Sequence, residues 1–264
     1  MRITMLLEND AREGSGLAAE HGLSLHIEAV GRRILFDTGQ SDAFARNAEA
    51  LGIDLAAVDF AVISHGHYDH TGGLARFLEL NDHAPVYLHR SAFEKHGAKD
   101  GRDIGMDVSL KDSPRLVFTD DELALGDGLD LLTCNAQERP FPSHSGGLYQ
   151  FRDGLPMQDD FLHEQYLRIR EGGKTVLVSG CSHKGILNIM HWMRPDVLIG
   201  GFHFMGLPCE GEGREALDRA AEALASYDAE YFTGHCTGRK QFQYLKEQLG
   251  NRLHHFAGGM SLEI

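Results

Sequence analysis

The chain has 264 residues, with 25 Lys and Arg against 39 Asp and Glu, a formal charge of −14 with histidine neutral. Hydrophobic residues make up 42% and charged residues 24%, too apolar for a disordered chain and long enough to bury a sizeable core. The acidic balance argues against a nucleic-acid partner and against an anionic membrane surface, because no basic stripe exists to displace counterions.

Residues 3–7, 23–29 and 32–36 read as strands, the last two joined by a turn at Gly31. Ser41 can cap a helix that carries Phe44, Ala48 and Leu51 on one face and stops at Gly52. A buried strand is expected over 60–64, then a polar loop, a helix over 72–80 and a strand over 85–89. Residues 93–121 are polar and low in periodicity, which suggests a lid or an insertion. Strands follow over 129–133 and 148–152, and 166–170 with 175–179 reads as a hairpin. Helices are expected over 185–192, 214–226 and 240–249, with strands over 197–199 and 231–233. Strands with interspersed helices in both halves indicate an α/β body with helices outside packed sheets. No Pro/Ser-rich linker divides residues 1–264, so a single domain is expected.

The first residues turn acidic at Glu8-Asn9-Asp10, without the long apolar stretch of a signal peptide, and no run approaches a spanning helix. The four cysteines form no C-x-x-C pair. A cytoplasmic, reducing compartment is the expectation.

Sixteen histidines are more than a core needs. Directly after the strand over 60–64 comes His65-Gly66-His67-Tyr68-Asp69-His70-Thr71-Gly72-Gly73. His65 and His67, two apart in an extended loop, can chelate one metal, while Asp69 and His70 past a bend can reach a second. Imidazole and carboxylate suit zinc, and also iron or manganese. Gly66 is expected to let the backbone approach the ions. Thr71-Gly72-Gly73 is expected to open a helix whose free N–H groups favour an anionic substrate group. The bland alternative is a polar loop with surface histidines, and the spacing disfavours it.

This pattern resembles the metallo-β-lactamase superfamily, whose signature H-x-H-x-D-H follows a strand. Phe36-Asp37-Thr38-Gly39 is similar to its early strand-end aspartate, which supports the metal loop from behind. Ser179-Gly180-Cys181-Ser182-His183 and Gly234-His235-Cys236-Thr237-Gly238 stand where late metal ligands follow strands. The resemblance implies an αβ/βα sandwich of two mixed β-sheets flanked by helices. It also implies two divalent ions, one on His65, His67 and His183, the other on Asp69, His70 and His235. Four segments, including Glu20-His21-Gly22-Leu23-Ser24 and Gly200-Gly201-Phe202-His203, resemble a subfamily named for dihydropterin-(ribofuranosyl)aminobenzene-phosphate synthase. Where many members carry a bridging aspartate, this chain has Cys181. Either its thiolate takes part in metal binding, or it sits beside the site with Glu20 and His21 as a substrate contact.

For His203, a structural role and a proton-transfer role stand equal. His144 is a substitute third ligand for the first ion. Cys181 as a covalent nucleophile lacks the flanking glycines of a nucleophile elbow. Asp120-Asp121-Glu122 and Asp159-Asp160 read as solvated loops. The expected activity is hydrolysis of a small anionic substrate by a metal-bound hydroxide that Asp69 orients, with Asp69 and His203 as catalytic residues. The alternatives are transfer onto a pterin pyrophosphate and a non-catalytic binding protein.

Overall fold

Residues of the central strands are buried on both faces, and the period-two alternation of side chains explains the layering that results. Ile34, Phe36 and Val62 point to one core, while Leu35, Ala61 and Ile63, between or beside them, point to another. In the second half, Val176, Val178, Val197 and Ile199 join the first core and Leu177 and Leu198 face the opposite way. In the computed structural model, which describes residues 1–264, these faces build a four-layer sandwich.

The first seven-stranded sheet runs Ser261–Glu263, Arg2–Leu7, Ser24–Ala29, Arg32–Phe36, Phe60–Val62, Val86–His89, Leu116–Thr119. The second runs Leu253–His255, Glu230–Thr233, Val197–Ile199, Lys174–Val178, Tyr166–Glu171, Leu129–Leu132, Glu122–Gly126. Both are mixed, with antiparallel and parallel pairs. The shared core lies between them. Helices Ala43–Ala50 and Leu74–Leu80 cover the outside of the first sheet. Helices Ile186–Met193, Gly211–Ala225 and Arg239–Leu249 cover the outside of the second. This is the expected αβ/βα sandwich. No helix is long and apolar enough to cross a membrane.

Among the strands that escape the sequence pattern are Glu122–Gly126, Leu155–Gln158 and Ser261–Glu263. Each is the edge of its sheet, so each buries little and lacks the apolar signature that marks a central strand. The stretch 93–121 divides in two. Leu116–Thr119 completes the first sheet, while His96–Ala98 joins Leu148–Arg152 and Leu155–Gln158 in a small third sheet.

Candidate metal centre

Four strands of the parallel regions end at one place, and the loop after each delivers polar side chains there. Arg32–Phe36 leads to Asp37, Phe60–Val62 to the histidine loop, Lys174–Val178 to Cys181 and His183, and Glu230–Thr233 to His235. The turns are tight. Asp37, Ser182, His203 and His235 all have φ between 47° and 60°, a left-handed conformation that non-glycine residues hold only where the surroundings impose it. A Cβ on Gly180 would stand 2.5 Å from the Ser64 hydroxyl, so this turn needs glycine to pass the metal loop. Gly66 is also obligatory, for a different reason than ion approach: a Cβ there would lie 2.0 Å from the Ala92 carbonyl oxygen.

Two donor groups result. His65, His67 and His183 form one, and Asp69, His70, Cys181 and His235 form the other, all buried. His65 Nε2 lies 3.2 Å from His183 Nε2, and His70 Nε2 lies 3.2 Å from His235 Nε2. His70 Nε2 is also 3.1 Å from Cys181 Sγ, and the Asp69 carboxylate is 3.3 Å from His235 Nε2.

The other ring nitrogens decide what these contacts are. His70 Nδ1–H donates to Asp37 at 2.6 Å, and His235 Nδ1–H donates to the Asn9 side-chain oxygen at 2.9 Å. His65 Nδ1–H donates to the Ser64 hydroxyl at 2.8 Å, which itself donates to Asp37 at 2.7 Å. His183 Nδ1–H donates to the Ser145 hydroxyl at 3.2 Å. With its single proton spent there, each neutral imidazole keeps a lone pair on Nε2. Two facing lone pairs repel unless a cation stands between them. Nitrogens sharing one tetrahedral zinc at its usual bond length are about 3.3 Å apart, so both pairs fit a shared metal ion. Tying off the distal nitrogen is also how proteins orient metal-binding histidines.

Charge divides the two groups. Burial pushes His65, His67 and His183 well below the usual imidazole range, and neighbouring imidazoles push the same way, so all three are neutral donors. Burial takes His235 down to about 4. His70 is the exception: burial lowers it, but the Asp37 and Asp69 carboxylates outweigh that and raise it. Burial raises Asp69, but His70, His21 and His235 outweigh it and hold the carboxyl well below its usual range. Burial, with Cys236 adding to it, lifts the Cys181 thiol well above its usual value.

The six expected metal ligands are thus brought together. Cys181, expected among the substrate contacts, stands in the second donor group, the other of its two sequence readings. His21 reaches the site, exposed and 3.3 Å from the Asp69 carboxylate. Glu20 does not: its carboxylate accepts from the Ser41 hydroxyl at 2.8 Å, and Ser41 in turn accepts from Ala43 N–H at the helix start. His203 leans on His183, ring centroids 4.4 Å apart, its Nδ1 3.3 Å from the His144 carbonyl oxygen. The His144 ring instead meets Phe204, outside both donor groups.

At the expected anion cradle Thr71-Gly72-Gly73, the two glycine N–H groups face inward partners. Gly72 N–H donates to Tyr68 O at 2.8 Å and Gly73 N–H to Gly39 O at 3.3 Å, so both are spent. The expectation that Asp159 is a solvated loop residue also fails, since it is buried against His96 and His163. Sequence reading passed over Glu8, Asn9, Ser145 and Glu164. Glu8 accepts from His235 N–H, and burial pushes its carboxyl up to about 7. Glu164 accepts from His183 N–H at 2.6 Å and from Lys184 N–H at 3.0 Å, fixing the turn that carries His183. None of these lies in a recognisable spacing with its partner, so only the fold reveals them.

Comparison with known proteins places the fold in a family. An uncharacterized protein of Methanocaldococcus jannaschii is 29% identical over 97% of this chain and 98% of its own. A second protein of that organism, 7,8-dihydropterin-6-methyl-4-(beta-D-ribofuranosyl)-aminobenzene-5'-phosphate synthase, is 28% identical over 94% of this chain and 91% of its own. The solved structure of Tm1679, titled a metal-dependent hydrolase of the beta-lactamase superfamily, superposes with a TM-score of 0.82 at 29% identity. It covers 100% of this chain and 99% of that one. The family profile of the metallo-beta-lactamase superfamily matches residues 19–154, more than half of the sequence. The chain belongs to the metallo-beta-lactamase superfamily.

Proposed function

We propose that this protein is a metal-dependent hydrolase acting on a small anionic substrate, with two divalent cations, zinc or else iron or manganese, as its cofactors. The observation that carries the reading is the close approach of imidazole Nε2 atoms, His65 to His183 and His70 to His235, each at 3.2 Å, which a shared cation in each group would account for. His65, His67 and His183 would hold one ion, and Asp69, His70, Cys181 and His235 the other. When bound, such ions lower the pKa of a water toward neutrality and polarise the electrophile.

The chain's own residues supply the rest. Asp69, held ionised, can accept a hydrogen bond from the attacking water and aim it. His203 donates its Nδ1–H to the His144 carbonyl, which leaves the Nε2 lone pair free beside His183. From there it can take a proton in one step and return it to the leaving group in the next. A cavity of about 320 Å³ adjoins His235, where Met205 and Phe242 offer apolar walls and Arg239 is paired with Asp10. That size suits a small molecule. Nucleic acid is disfavoured as a partner by the −14 charge.

A second reading rests on the synthase relative, which favours group transfer at the same centre. The test is metal analysis of the purified protein, followed by assays on phosphate esters, phosphodiesters, thioesters, lactones and a pterin pyrophosphate offered with an aminobenzene. Turnover of an ester that chelation abolishes supports hydrolysis, and condensation without hydrolysis supports the second reading. Bound metal with a large thermal shift and no turnover would favour a binding protein. Activity that survives chelation in metal-free protein would sink the reading.

A further inference from the structure

His67 stands apart from the other ligand histidines. Their Nδ1 atoms are tied off and their Nε2 atoms face the centre, whereas His67 has a buried Nε2 with no partner. It points into a second cluster, His96, Asp159 and His163, all buried behind the metal loop. The donor atoms of these four residues lie within 4.8 Å of one another, so distance alone would allow a third cation.

Counting protons argues otherwise. Gly66 N–H donates to His163 Nδ1 at 2.9 Å, so His163 carries its proton on Nε2, which lies 3.5 Å from the Asp159 carboxylate. That ring has no lone pair left for a metal. Asp159 is already engaged: one oxygen accepts from Phe161 N–H at 2.7 Å and the other from His96 Nδ1–H at 2.8 Å. His96 then keeps a lone pair on Nε2, buried and without a donor. Two groups of this cluster have a proton for it: His163, whose Nε2–H stands beside the Asp159 carboxylate at 3.5 Å, and His67, if its own proton sits on Nε2.

We propose that His96, oriented by Asp159 and His163, is the outer anchor of His67, accepting from His67 Nε2–H directly after a small ring rotation or through one water. This fixes the tautomer that presents the His67 Nδ1 lone pair to the metal centre. The inference rests on reading His67 as a metal ligand. The scaffold supports it: Gly66 packs on Ala92, Tyr68 N–H donates to Ile104 O at 2.9 Å, and His67 forms a β-bridge with Gly105. The segment carrying His96 is therefore bound to the metal loop on either side of His67. His96 is a positioning residue, and so is Asp159.

The experiment uses the full chain and zinc as the probe, titrated against a chromophoric chelator, with metal per chain counted at saturation. His96→Phe and Asp159→Asn are expected to weaken zinc binding ten- to a hundredfold, the usual cost of removing a ligand's outer partner. His96→Gln, whose amide can accept from His67 and donate to Asp159, is expected to stay within a few-fold of the unaltered protein. The ion count stays the same in all three. Ring ¹⁵N shifts of the zinc-loaded unaltered protein are expected to show His67 protonated on Nε2, a readout that survives even if a variant fails to fold. A His67 proton on Nδ1, or a folded His96→Phe that binds zinc as tightly as the unaltered protein, would overturn the inference and leave the metal centre intact. Loss of one ion at saturation in His96→Phe and Asp159→Asn would overturn it in favour of a third cation site. Unaltered protein that binds no metal would remove the reading on which it rests.

Discussion

The two donor groups share a wall and differ in character. The group of His65, His67 and His183 is all imidazole, neutral, and backed by the Ser64 and Ser145 hydroxyls. The group of Asp69, His70, Cys181 and His235 carries an ionised carboxylate, a thiol and the one histidine raised in pKa, backed by Asp37 and Asn9. A divalent ion keeps its whole charge in the first group and loses part of it to ligands in the second. An ion in the first group would therefore be the stronger Lewis acid, and the second group would hold its cation more tightly.

Asp37 is where the comparison can be broken most severely, because it serves both sides. Fully buried, it accepts from Ser64 N–H and from His70 Nδ1–H, and through the Ser64 hydroxyl it also orients His65. Asp37→Asn keeps the shape but places an amide where donors converge. The expected cost is on the order of 3–5 kcal/mol, the range for breaking one side of a buried charged pair. Denaturant unfolding of metal-free protein should show that loss, and zinc titration should show both ions weakened together. Loss of one ion alone would mean that Asp37 serves one group.

The fold and much of the candidate donor set were legible in the sequence because both are written in short-range patterns. His65, His67, Asp69 and His70 lie within one loop, and the apolar alternation of strands such as Arg32–Phe36 and Val197–Ile199 marks the central sheet. His183 and His235 were legible through resemblance, each following a strand. What supports them was not legible, because it comes from distant positions joined only by folding. Asn9 meets His235 across 226 positions, and Ser145 meets His183 across 38. Asp159 looked like half of a solvated acidic pair, and only the small third sheet, which brings His96 beside it, shows it to be buried. Glu20, in a segment carried by resemblance, proves to serve the helix start at Ser41.

Cys181 sharpens the contrast from the second side. Without metal, burial keeps its thiol protonated; with an ion on His70 and His235, loss of that proton would add a negative ligand. Cys181→Ala should weaken the second ion about ten- to a hundredfold, leave the first unchanged, and cost little fold stability. Cobalt substitution supplies the direct readout. A thiolate-to-cobalt charge-transfer band in the near ultraviolet should appear in the unaltered protein and vanish in Cys181→Ala. A band absent from both would return Cys181 to the role of a neighbour.

The smallest expected effect separates the two groups by their outer partners. Ser145 accepts from His183 Nδ1–H and donates its own proton to the His183 carbonyl oxygen at 3.0 Å, a closed local loop that nothing in the second group touches. Asn9 does the equivalent for His235, and its amide also donates toward His21 at 3.3 Å. Each bond is neutral, so removing either should cost about 0.5–1.5 kcal/mol of fold stability. The effect on metal should be selective: Ser145→Ala weakens only the first ion and Asn9→Ala only the second. The reason is mechanical, because a ring freed at Nδ1 can rotate about its own χ2 without moving the ring across the shared wall. Paired zinc titrations of the two variants measure this. If either variant weakens both ions alike, the centre behaves as one rigid network, and the difference in charge between its halves is not a difference in function.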